Sequence, residues 1–327
     1  RNEDGRFVEV PGETGLPNTA GWWNSLAAGD FDRDGDTDYV AGNLGLNTRY
    51  DASPAQPVRI HAKDFDDNGT LDPIVSHYVQ DTHVPAHSRR EVIDEIRGML
   101  RRFPSNQAYA EATFDDLFTE EELDRAYTAE AVRFETSYLE NRGDGTFRLR
   151  ALPRRAQMAP VFGMRVGDYT GDGVLDLLMV GNWYAPDRET GRADAFVGEL
   201  LRGEGTGHFE PVAPPRSGFV VPGDAKGLAE VGTGEGAPLV IVTQNRDSLR
   251  ALVPTRRPGR TIPLRPLDRT AALTFEDGST RREELYYGST YLSQSSRTLR
   301  VPSTVTRVVL HGADETSRTV AGPAATP

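Results

Sequence analysis

Short apolar runs separated by glycine-rich polar turns recur along most of this chain, a pattern that predicts many short strands rather than helices. Tyr39-Val-Ala41, Pro73-Ile-Val75, Leu177-Leu-Met-Val180 and Leu239-Val-Ile-Val242 are such runs. None approaches the ~20 apolar residues needed to span a bilayer. The runs belong to a repeated unit: a tight turn, a loop, an acidic stretch, then a strand ending near Gly-Asn. The turn occurs as Glu3-Asp-Gly-Arg-Phe7, Gly143-Asp-Gly-Thr-Phe147 and Gly205-Thr-Gly-His-Phe209, and the strand ends as Gly42-Asn43, Gly181-Asn182 and Gln244-Asn245. In the last unit, Glu230-Val-Gly-Thr-Gly-Glu-Gly236 stands where the others carry acidic loops. Radial repetition of four-stranded blades puts the same turn between the same two strands each time, so the expected fold is an all-β β-propeller over residues 1–263. Four units are visible, few for a closed ring, and Arg1–Phe7 reads as the second half of a hairpin. Further blades are therefore expected ahead of it.

The period changes between about His87 and Val132. Val92, Ile96, Met99, Leu100 and Phe103 fall close to a 3.6-residue stripe, so this stretch predicts helices. Ser88 with Glu91, and Thr119 with Glu122, have capping-box spacing, and Pro104 separates the two helical stretches. The segment 87–132 reads as a helical insertion, replaceable by a short linker without loss of the fold. From 264 to 320 the repeat gives way to a different β segment. There Ala271–Thr280 spells strand, Asp-Gly turn, strand, and Thr304–Leu310 spells another strand. Residues 321–327 read as a tail.

The acidic stretches share one design. They are Asp30-Phe-Asp32-Arg-Asp34-Gly-Asp36-Thr-Asp38, Asp64-Phe-Asp66-Asp-Asn68-Gly-Thr70-Leu-Asp72 and Asp168-Tyr-Thr170-Gly-Asp172-Gly-Val174-Leu-Asp176. Oxygens at positions one, three and five converge when the chain turns sharply at a glycine in position six, and a hard cation such as Ca2+ needs six to eight of them. The backbone carbonyl of position seven (Asp36, Thr70, Val174) and the carboxylate of position nine (Asp38, Asp72, Asp176) would complete the cage. An EF-hand would place its last ligand at position twelve between helices, whereas here the loop runs into a strand. Up to three structural Ca2+ ions are expected. The first loop, with four side-chain carboxylates at positions one, three, five and nine, should fill most tightly. The spacing from Asp30 to Asp64 is 34 residues and from Asp64 to Asp168 is 104, so the repeat is interrupted.

Composition narrows the rest. The chain of 327 residues carries a net charge of −12, which disfavours nucleic acid as a partner because phosphate binding needs a basic face. It contains no cysteine, so disulfides cannot staple it, and calcium is the available substitute. His77, His83 and His87 cluster in sequence, but without the spacing that puts two ligands on one helix face. Arg142-Gly143-Asp144 reads as part of a β-turn. No nucleophile elbow, metalloprotease pair, P-loop or dinucleotide fingerprint is present.

Trp22-Trp23-Asn-Ser-Leu-Ala-Ala-Gly-Asp30, Gly42-Asn-Leu-Gly-Leu-Asn47, Asp64–Asp72 and Gln157-Met-Ala-Pro-Val161 resemble the FG-GAP/VCBS-repeat proteins, whose calcium-loop propellers include the integrin α head. Glu284-Leu-Tyr-Tyr-Gly-Ser-Thr-Tyr-Leu-Ser-Gln-Ser-Ser296 resembles the ASPIC/UnbV-type C-terminal segment found with them, and the overall likeness is to secreted or surface proteins of Bacteroidetes-like bacteria. The family pattern has Asp or Asn where this chain has Thr170. The resemblance implies a non-enzymatic, calcium-stabilised binding or scaffold protein at the cell surface or outside the cell, recognising a glycan, a peptide or an envelope protein. The alternative is an enzyme or enzyme subunit acting on polysaccharide, with the helical insertion as a lid. Exposed Trp22, Trp23, Trp183 and Tyr184 would favour the binding reading.

Overall fold

The computed structural model describes residues 1–10, 12–186, 190–233, 238–255, 259–288 and 290–321. A short hairpin, β1 (Asn2–Glu3) and β2 (Arg6–Phe7), precedes the first sheet, which begins with β3 (Ser25–Gly29) and β4 (Asp38–Gly42). The chain then leaves to build a second sheet from β5 (Val58–Lys63), β6 (Asp72–Val79) and β7 (Thr82–Pro85). Five short helices follow: α1 (Arg89–Glu95), α2 (Met99–Arg102), α3 (Asn106–Ala110), α4 (Phe114–Leu117) and α5 (Glu120–Leu123). After them β8 (Tyr127–Ala131) closes the second sheet against β5, giving the order β7-β6-β5-β8. Only then do β9 (Ser137–Asn141) and β10 (Phe147–Ala151) complete the first sheet, in the order β10-β9-β4-β3.

The second acidic loop thus lies in a sheet nested inside the first, which explains the short 34-residue spacing. The entry and exit of the nested part are held together. Asn43 Nδ2 donates to Arg133 O at 3.1 Å, and Val132 N donates to Ala20 O at 2.9 Å.

A third sheet is a simple meander of β11 (Val161–Gly167), β12 (Asp176–Gly181), β13 (Glu199–Gly203) and β14 (Phe209–Val212). A fourth comprises β15 (Ala225–Val231), β16 (Leu239–Gln244) and β17 (Arg250–Leu252). Of the first strands of the first, third and fourth sheets, β11 adjoins both β3 and β15. The apolar run Leu177–Val180 is explained by its position. Successive side chains of a strand point to opposite faces, and Leu177 and Met179 pack with Phe31 of the first acidic loop and Val40 and Tyr138 of the first sheet. Leu178 and Val180 pack with Leu228, Val240 and Val242 of the fourth. A strand buried on both faces reads as a continuous hydrophobic run rather than an alternating one. The protein is mostly β, in several antiparallel sheets.

The C-terminal segment has its own core of Leu273, Leu299, Val301, Val308 and Leu310. It is built from β18 (Arg260–Pro263), β19 (Asp268–Phe275), β20 (Thr280–Glu284), β21 (Thr298–Val301), β22 (Val305–Gly312) and β23 (Ser317–Ala321). The expected hairpin is β19–β20, with Gly278 at φ 82° in its turn, a left-handed conformation that favours glycine. Residues 322–327 of the expected tail, and 234–236 of the Glu230–Gly236 loop, lie outside the described residues.

The helices correct one expectation. Both capping boxes form, Ser88 with Glu91 and Thr119 with Glu122. The apolar stripe, however, does not decorate the surface. Val92, Ile96, Met99, Phe103, Phe114, Leu117 and Phe118 form one buried cluster with Ile74 of β6, while Leu100 alone of the predicted stripe is exposed. The helices are the hydrophobic cover of the second sheet rather than a solvated decoration.

Candidate metal centres

The three acidic loops fold alike because the same hydrogen bonds recur at the same positions. Position nine opens the second strand of its sheet, and its Oδ2 accepts the backbone N–H of position two. The distances are 3.1 Å for Asp38 and Phe31, 2.9 Å for Asp72 and Phe65, and 2.8 Å for Asp176 and Tyr169. Position five accepts from position seven, at 2.8 Å for Asp34 and Asp36, 2.7 Å for Asn68 and Thr70, and 3.0 Å for Asp172 and Val174. Gly35, Gly69 and Gly173 at position six have φ of 93°, 86° and 83°. The left-handed glycine folds the carboxylates back toward a common point.

The loops differ in what they gather. Ligand atoms of Asp30, Asp32 and Asp34 lie within 4.8 Å of one another, as do those of Asp64, Asp66 and Asp72. Buried oxygens in both groups, Asp30 Oδ1, Asp66 Oδ1 and Asp72 Oδ1, accept no hydrogen bond from the protein. An unpaired buried carboxylate oxygen is costly, and a divalent cation would remove that cost. These residues therefore fit a hard cation.

The third loop does not assemble such a three-carboxylate group. Thr170 offers no carboxylate, and donors satisfy the acids around it. Asp168 accepts from Gly171 N (2.6 Å) and Gly173 N (3.0 Å), and Asp176 also accepts from Thr170 N and Gly203 N. Arg202 lies 3.9 Å from Asp172.

Asp38 stands apart from the first group because its carboxylate is a latch. Its Oδ2 accepts from the Tyr138 hydroxyl at 2.7 Å and its Oδ1 from Asn141 N at 2.8 Å, at the end of β9. Asp176 makes the equivalent bond to Gly203 N, at the end of β13, at 3.0 Å. Burial pushes both carboxyls up to about 6. Asp30, Asp72 and Asp168 are also raised, chiefly by burial, and Asp32 by burial and then by Asp34. A bound cation would oppose each of these shifts.

Sequence reasoning missed the link between these loops and the C-terminal segment. Arg282 N of β20 donates to Asp30 Oδ2 at 2.9 Å, and the Thr37 hydroxyl donates to Glu284 at 3.0 Å. Arg33 of the first loop and Arg281 of β20 both donate to the Gly173 carbonyl, at 2.9 and 2.7 Å. Such long-range partners leave no local spacing signal. Alignment of Asn141-Arg-Gly-Asp-Gly with Gly203-Glu-Gly-Thr-Gly would have exposed the latch.

Other expected features resolve plainly. The Trp22, Trp23, Trp183 and Tyr184 side chains are half-buried rather than displayed on a face. Trp22 packs edge-on against Tyr50 and Phe134, and Trp23 Nε1 donates to Thr19 O. Of the three clustered histidines, His83 bonds the Ser76 hydroxyl and stacks on Tyr78, His87 Nε2 accepts from Val75 N, and His77 packs edge-on against Tyr50 with its buried Nδ1 neither accepting nor donating a hydrogen bond. Gly143 of the Arg-Gly-Asp tripeptide sits at φ 71° in a turn. No protein-family profile matches this chain, and no curated protein matches it.

Proposed function

We propose that this protein is a calcium-stabilised, non-enzymatic binding or scaffold protein acting outside the cytoplasm, and that its first, third and fourth sheets are propeller-type blades. The observation that carries the reading is the hydrogen-bond pattern shared by the three loops, with grouped carboxylates and buried, unpaired oxygens in two of them. Three further points support it. The first strand β11 adjoins both β3 and β15, neighbouring sheets pack face to face, and the position-nine latch recurs at equivalent places in two sheets. Millimolar extracellular calcium suits sites of modest affinity. The helices that a lid would need are instead the cover of the second sheet.

Calcium binding to the folded form alone stabilises it by mass action, by about 2.7 kcal/mol per site at a hundredfold excess over Kd. The melting midpoint should therefore rise with millimolar CaCl2 and fall with excess EGTA, and an unchanged midpoint would refute the reading. Within that rise, Asp34→Ala should remove more than Asn68→Ala. Both side chains make the same turn bond, and only Asp34 adds a charge. The reverse order would overturn the expectation that the first loop fills most tightly.

A further inference from the structure

At the end of the first strands β3, β11 and β15 lies a cavity of about 400 Å3, built from neighbouring positions of successive sheets. Asn24, Pro160 and Asp224 each immediately precede a first strand. Leu44, Trp183 and Asn245 follow the Gly-Asn or Gln ends of the paired second strands. Phe162 and Lys226 occupy the second residue of β11 and β15, and Tyr291 of the C-terminal segment closes one side. The residues just before the first strands come from like positions in each sheet while their side chains differ, so the cavity's lining is particular to this end of the molecule.

The chemistry of the lining selects its occupant. The charged pair is neutralised internally: Lys226 Nζ lies 2.8 Å from Asp224 Oδ1, donates to Asn182 O at 2.7 Å and sits 3.5 Å from the Phe162 ring centroid. Asn245 Nδ2 fills the other carboxylate oxygen at 3.1 Å. The cavity therefore offers no net charge to attract an anion or a cation. Among the described residues the Asn24 amide and Asn245 Oδ1 make no side-chain hydrogen bond within the protein and remain to meet a ligand. Beside them stand the aromatic surfaces of Trp22, Trp183 and Tyr291. Apolar aromatic walls with a few placed polar groups bind a ligand that has an apolar face and a hydroxyl-bearing edge. A pyranose has both. A hydrolase would need two carboxyl groups flanking the scissile bond, and Asp224 is the single carboxylate among the described residues lining the cavity.

We infer that this cavity is a binding site for a neutral pyranose residue of a glycan. The inference rests on the binding-protein reading and names its ligand class. Saturation-transfer NMR on the full chain in calcium tests it, with methyl pyranosides of gluco, galacto, manno and fuco configuration as probes. At least one should receive magnetisation from the protein. Trp183→Ala should weaken it about tenfold, as for loss of a buried aromatic anchor, while Trp23→Ala, outside the cavity, should not. Asn245→Ala, at an exposed position, should also weaken binding and keeps the test decisive if Trp183→Ala fails to fold. Transfer to none of the pyranosides, or transfer undiminished in both cavity variants, would overturn the inference. So would preferential binding of a peptide digest at the same cavity. A calcium-dependent melt that persists without any sugar signal would sink this inference alone and leave the proposed function standing.

Discussion

Glu199 shows how one side chain can set a pH limit. It is buried at the start of β13, its Oε1 accepts no hydrogen bond, and its partner is Arg155 at 2.7 Å. Burial raises its carboxyl to about 7, with Arg155 opposing the shift. A carboxyl raised on folding stabilises the protein below its unfolded pKa, and that contribution is lost as pH climbs through the folded value. Stability should therefore fall between about pH 4.5 and pH 7 by on the order of 1–3 kcal/mol. Glu199→Gln should flatten that slope, as chemical denaturation across the range would show; an unaltered slope would rule the residue out. Sequence alone ranked none of this, because Glu199 looks like any strand-end acid until its neighbours are known. The turn of each loop was legible at this scale, since its positions are local and the glycine imposes it, but which acids gather was not: Asp38 is drawn off to Tyr138 and Asn141, and the third loop assembles no three-carboxylate group.

Among elements, the helical stretch teaches the sharper lesson. Its period and two of its three capping boxes were readable because they are local, and both boxes formed, with a third at Thr113 and Asp116. What the stripe faces is a tertiary fact, and the stripe faces Ile74 of β6. Phe114 is fully buried, its ring centroid 4.8 Å from each of His61 and His83. Phe114→Ala should cost ~3–5 kcal/mol, as for large-to-small changes in packed cores. A surface decoration would lose less than ~0.5 kcal/mol on the same change, so urea melts separate the two directly. The strands were equally legible as runs, yet their partners were not. β4 pairs with β9 rather than with its next neighbour in sequence.

For the molecule as a whole, that pairing has a kinetic meaning. Gly42 and Ser137 bound a long excursion, and bringing distant strands together early is entropically unfavourable and slow. The second sheet with its helices joins the two ends of the excursion where Asn43 meets Arg133. Once that inner part has set, β9 arrives beside β4 as though the intervening residues were a tight turn. The first sheet is thus expected to assemble like a bracket closed only after the phrase inside it is complete. Pulsed hydrogen exchange during refolding should find the amides of β5 and β6 protected before those of β9. Simultaneous or reversed protection would mean that the outer strands find each other unaided. If the order holds, a substitution that merely slows the inner part would delay the latch at Asp38 as well, leaving the first acidic loop the last of the cation sites in its half of the chain to become competent.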